Sequence, residues 1–116
     1  MIKKQEDLRV VEIENLRGGK GVLKLVHILE QADAYDKGRL FGRMIVPVGA
    51  SVGYHQHEGN FELYYILKGE ARVNDNGQES TMGAGDMMLC KDGDYHSIEN
   101  IGDTDLEFIA MVLFNN

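Results

Sequence analysis

Residues 49–69 read GASVGYHQHEGNFELYYILKG, and the fold of the whole chain turns on this stretch. His55 and His57 are separated by one residue, Glu62 follows, and Gly49 and Gly69 stand at the two ends. A strand turns alternate side chains to opposite faces, so His55 and His57 project from the same side. Gly59 lies in the short connection that follows, and a second strand opening at Glu62 brings that carboxylate back toward the two imidazoles. Taken alone, the pattern fits a metal cradle, or equally a hairpin with polar residues near its tip.

The segments on either side of this stretch are strand-length as well. Val22–Leu29, Leu40–Val46, Glu62–Lys68, Ala71–Asn74, Asp86–Cys90 and Leu106–Phe114 are rich in Val, Ile, Leu, Tyr and Phe and are bounded by turn residues. The turns are Lys68-Gly69-Glu70, Asn74-Asp75-Asn76-Gly77, Asp92-Gly93-Asp94 and Gly102-Asp103. Such spacing predicts a single all-β domain over residues 1–116, a sandwich or small barrel. Only the polar start, Lys3–Leu8, offers a helical turn. Arg17-Gly18-Gly19-Lys20-Gly21 lacks the spacing of a phosphate loop and no helix follows it, so it is expected to be a flexible turn.

Composition sets outer limits. A chain of 116 residues with 43 % hydrophobic content can build one packed core. There is no run of eighteen apolar residues, and Met1–Val10 lacks the apolar centre of a signal peptide, so a soluble cytoplasmic protein is expected. The lone Cys90 agrees with a reducing compartment. A formal charge of −7 argues against nucleic acid or an anionic membrane as partner, since both attract basic surfaces.

A second cluster bears on the opening stretch. Residues 85–100, GDMMLCKDGDYHSIEN, place His96 just after the turn Lys91–Asp94 at the start of another short strand. Three of the four histidines therefore fall in two strand-edge segments, and neighbouring strands of a barrel wall could aim His96 across the interior at His55 and His57.

The chain here resembles the cupins, small β-barrels that carry two short motifs. The first runs glycine, five residues, His-x-His, three or four residues, Glu, six residues, glycine; Gly49, His55, His57, Glu62 and Gly69 stand at those intervals. The second is met by Gly85, Gly93, His96 and Asn100, with Lys91 where the family has proline. Proline would preset φ there, so the substitution loosens a turn and removes no ligand. The resemblance implies a double-stranded β-helix, or jelly roll, in which His55, His57, Glu62 and His96 bind one divalent transition metal per chain. Three imidazoles and a carboxylate suit Mn, Fe, Co, Ni, Cu or Zn.

The resemblance extends to short oxalate decarboxylase-type cupins, with two departures. Those proteins carry a substrate arginine three residues before the first motif histidine, where this chain has Val52, and a proton-transferring glutamate on a lid loop, for which no segment matches. Arg43 or Glu58 are the available deputies. Tyr64, Ile66 and Ile98 share strand faces with Glu62 and His96, and with Arg43 they are the candidate substrate-binding residues. His27 is expected to pack or face solvent rather than ligate, and Asn100 to hold the turn after the His96 strand. The expected function is a metalloenzyme acting on a small carboxylate or oxygenated compound, by decarboxylation or dioxygen insertion. The alternatives are a non-catalytic metal-dependent binding or sensing module, or a sugar isomerase or epimerase-like cupin. Leu63, Tyr65 and Leu67 then face outward, which predicts a homodimer in which N-terminal strands within residues 1–21 pair or exchange.

Overall fold

A computed structural model describes residues 1–116. Its strands are β1 (Val10–Glu14), β2 (Val22–Leu29), β3 (Gly38–Val46), β4 (Ser51–Gln56), β5 (Asn60–Lys68), β6 (Glu70–Asp75), β7 (Gln78–Gly83), β8 (Met87–Cys90), β9 (Tyr95–Asn100) and β10 (Leu106–Phe114). Single 3₁₀ turns occur at Gln5–Asp7, Leu16–Gly18 and Ala32–Ala34. One sheet has the order β1-β2-β3-β10-β5-β8 and the other β4-β9-β6-β7, with antiparallel pairing throughout. This is the expected all-β double-stranded β-helix.

Period-two alternation makes the core. In β10, Leu106, Phe108, Ala110 and Val112 are buried while the residues between them are half-buried on the other face. Leu23, Met44, Val46, Tyr64, Ile66 and Phe108 of the larger sheet meet Val52, Ala71, Val73, Met82 and Ile98 of the smaller one. Each such apolar side chain contributes about 1.5–3 kcal/mol on leaving water. The chain crosses between sheets at Gly69, the single residue separating β5 from β6. Its φ is +94°, and a Cβ there would lie 2.9 Å from the Asp105 carbonyl oxygen, so both the turn and the close approach require glycine.

One strand escaped the sequence pattern. β7, QESTMG, is exposed along most of its length and carries no apolar alternation. β1 is short and lies at the sheet edge, paired with β2 of its own chain in the register Val10↔Val26 to Glu14↔Val22. The turn that lacks the family proline is held by side chains. Asp92 accepts from the Gly59 N–H at 2.8 Å and from Asn115 Nδ2 at 2.8 Å, and Asp94 N–H donates to the Lys91 carbonyl at 2.9 Å. Asn100 clasps the end of β9: its Nδ2 donates to the Val46 and Thr104 carbonyls and its Oδ1 accepts from Gly102 N–H.

Leu63, Tyr65 and Leu67 lie on the outer face of the larger sheet, and Tyr65 and Leu67 remain 44 % and 42 % exposed. Met87 and Leu89 of β8 extend that apolar surface. No helix is long and apolar enough to cross a membrane.

Candidate metal centre

The two sheets bring His55, His57, Glu62 and His96 to one place inside the barrel, with one ligating atom from each lying within 4.8 Å of all the others. His55 on β4 stands directly opposite His96 on β9. His57 follows the end of β4, where its N–H donates to the Asp94 carbonyl and its own carbonyl accepts from Gly93 N–H. Glu62 projects inward from β5, between Val112 of β10 and Cys90 of β8 in the ladder. The donors therefore come from both sheets. His57, Glu62 and His96 are buried, and His55 is half-buried toward the cavity.

The three Nε2 atoms are separated by 3.1–3.2 Å, and Glu62 Oε1 lies 3.0 Å from Nε2 of both His57 and His96. Two of the rings have their other nitrogen engaged. His55 Nδ1 donates to the Gly53 carbonyl at 2.7 Å and His57 Nδ1 to Asn60 Oδ1 at 2.6 Å. In those tautomers Nε2 of both rings presents a lone pair to the same point as a carboxylate oxygen, an arrangement that is repulsive without a cation and is the donor set of one with it. Donors about 2.1 Å from one ion stand about 3.0 Å apart when cis in an octahedron and about 3.4 Å apart in a tetrahedron. The 3.0–3.2 Å separations lie between these spacings and fit a set of donors that one divalent ion could gather. His96 Nδ1 is buried without a hydrogen-bond partner, its ring instead stacked on Tyr64 at 4.8 Å.

Electrostatics keep the cluster ready to ligate. Burial lowers the His55 pKa to about 4, against the opposing hydrogen bond to Gly53, so this ring is neutral at physiological pH. For Glu62, burial pushes the carboxyl upward, but a proton carried on Nε2 of His57 or His96 in place of a cation outweighs it and brings the pKa to about 2, so the group is ionised. Cys90, raised to about 12 chiefly by burial, is an inert buried thiol outside the ligand set.

Above the cluster lies a cavity of about 200 Å³. His55, His57, Glu62 and Tyr64 line its floor, and Val52 lies on its wall. Tyr64 is buried between the His96 ring and Phe108, which is a packing position at the cavity floor. The other candidate substrate residues lie elsewhere. Ile66 and Ile98 are fully buried in the core, outside the cavity lining. Arg43 is turned to the outer face because its neighbour Met44 takes the inward position, and it donates to Glu107 at 2.6 Å. Glu58 is exposed and also lies outside the lining. Sequence reasoning missed Asn60, which orients His57, and the cavity-lining Arg17, Arg39 and His27. Asn60 lies between His57, which it orients, and Glu62, a short distance that could have marked it. The cavity residues come from the distant 3₁₀ turn, β3 and β2.

A cupin-domain family model matches residues 42–112, and the chain belongs to the cupin family. A curated Thermotoga maritima protein called an oxalate-binding protein is 46 % identical over 113 residues, spanning 97 % of this chain and 93 % of its own. A solved Thermotoga maritima structure, described as a predicted oxalate decarboxylase, superposes with a TM-score of 0.94 at 45 % identity, covering 99 % of this chain and 100 % of that one. The cupin domain of Schizosaccharomyces pombe Cnp3 shares the fold, with a TM-score of 0.72 at 22 % identity over 80 % of this chain and 61 % of its own.

Removing the orienting partner of a ligating histidine weakens metal binding about 10–100-fold in comparable sites. Asn60→Ala is therefore expected to lower metal affinity by about that factor while the circular dichroism of the barrel stays unchanged, as measured by competition against a metallochromic chelator.

Proposed function

We propose that this protein binds one divalent transition metal at His55, His57, Glu62 and His96 and uses it to hold a small carboxylate of the oxalate class. The observation that carries this reading is the four-donor cluster at the floor of a small cavity. At about 200 Å³ that cavity is below the ~300–1,000 Å³ of sites for drug-sized ligands. The relative's name as an oxalate-binding protein points to the same ligand class. In the bound state the metal supplies Lewis-acid attraction for carboxylate oxygens. The protein's own groups set the site: Gly53 and Asn60 fix two imidazoles, Tyr64 backs the third, and Val52 keeps one wall apolar.

Binding is favoured over turnover by the cavity lining. Replacing a departing carboxylate requires a proton donor; the sole carboxyl group on the lining, Glu62, is already placed among the ligands, which leaves only His27 and the buried Tyr64 for that task. The decarboxylase and dioxygenase readings therefore rank second, and the sugar isomerase reading third. Manganese-reconstituted protein should bind one oxalate per chain by calorimetry, and chelator-treated protein should lose that signal by about tenfold or more. Equal binding without metal would contradict the proposal. Carbon dioxide release from bound oxalate would move the assignment to an enzyme.

The apolar outer face of the larger sheet supports a homodimer, with barrel packed on barrel through Leu63, Tyr65, Leu67, Met87 and Leu89. Strand exchange through β1 would require its ladder with β2 to open, so face-to-face packing is the form proposed. Sedimentation should show a dimer that Tyr65→Glu with Leu67→Lys converts to monomer. A monomeric wild type would contradict this.

A further inference from the structure

The chain has five arginines. Three are taken up by carboxylates on outer surfaces: Arg9 by Glu30 at 2.8 Å, Arg43 by Glu107 at 2.6 Å and Arg72 by Glu99 at 3.5 Å. The other two, Arg17 and Arg39, make no ion pair although the chain holds 19 acidic residues, and both line the cavity above the histidine cluster. They come from separate elements, Arg17 on the Leu16–Gly18 turn and Arg39 at the start of β3. Glu62 is the sole acidic residue on that lining. A protein of net charge −7 thus keeps a cationic opening over its candidate metal centre.

The Arg17 position is built rather than loose. Its backbone is left-handed, φ 56° and ψ 32°, a conformation unfavourable for a non-glycine residue. The turn is pressed against β4: a Cβ on Gly53 would collide with the Arg17 carbonyl, and one on Gly19 with the Ser51 carbonyl. Ser51 N–H donates to the Lys20 carbonyl at 2.9 Å, and Ser51 Oγ accepts from Lys20 N–H at 3.0 Å. Gly53 is also the residue whose carbonyl orients His55. One glycine therefore fixes both a metal ligand and the turn that carries Arg17.

We propose that Arg17 and Arg39 are the ligand-selecting residues of this cavity, an anion clamp that makes it prefer a dicarboxylate of oxalate size to a monocarboxylate. The clamp rests on the metal-dependent carboxylate binding proposed above. A guanidinium offers paired N–H donors matched to carboxylate oxygens that face away from the metal.

The test is calorimetry of manganese-reconstituted full-length protein with oxalate and with acetate, and metal content measured on the same samples. Arg17→Ala and Arg39→Ala should each weaken oxalate by about tenfold or more. Acetate should change by less than about threefold, so the oxalate-to-acetate ratio falls, and metal content should match the wild type. Arg17→Lys, which keeps the charge and loses the fork, should lie between wild type and Arg17→Ala. Arg72→Ala should change nothing. A ratio unchanged in both alanine variants, with wild type still binding oxalate, overturns the clamp and leaves the metal-carboxylate reading intact. A metal-loaded wild type that binds no oxalate overturns that reading and the clamp with it.

Discussion

Imidazole lone pairs and a carboxylate oxygen directed at one point inside a barrel repel one another, and the fold nevertheless holds them about 3 Å apart. A buried polar cluster of this kind is costly unless satisfied. Hydrogen bonds donated to the Gly53 carbonyl and Asn60 Oδ1 turn two rings so that Nε2 points inward, which is the orientation a metal ion needs and the worst one in its absence. Because the donors span β4, β9 and β5, a bound ion would also tie the smaller sheet to the larger one. Binding energy there is stability of the barrel as well as chemistry at its centre.

From this constraint the rest of the site follows in layers. The cavity floor is rigid, with Tyr64 clamped between His96 and Phe108, and the wall is apolar at Val52. The rim is cationic and set on a turn that β4 holds through backbone contacts at Gly19 and Gly53. A small anion is the ligand that satisfies a divalent ion on the floor and guanidinium groups on the rim together. The same fold is carried by a distant cupin domain at 22 % identity, and a fold alone assigns no chemistry.

The barrel and the donor set were legible because they depend on local rules. Alternation placed His55 with its neighbours, glycines marked the turns, and the spacing from Gly49 to Asn100 carried the family resemblance. Strand β7 was not legible, since its exposed QESTMG sequence is held by pairing with β6 rather than by burial. Arg43 illustrates the limit of spacing: nearness to Gly49 suggested the pocket, but the pleat turns it outward to Glu107. Arg17 and Arg39 were hidden for a different reason. They reach the cavity through tertiary contacts between segments far apart in sequence, and the absence of a carboxylate partner is visible only once every other arginine has been placed.

The most direct test is the metal-to-chain ratio of untagged protein after reconstitution, by mass spectrometry, in the wild type and in His57→Ala. The account predicts a ratio near one for the wild type and a loss of most of it in the folded variant, because His57 touches all three other donors. A folded wild-type protein that takes up no divalent transition metal would contradict it.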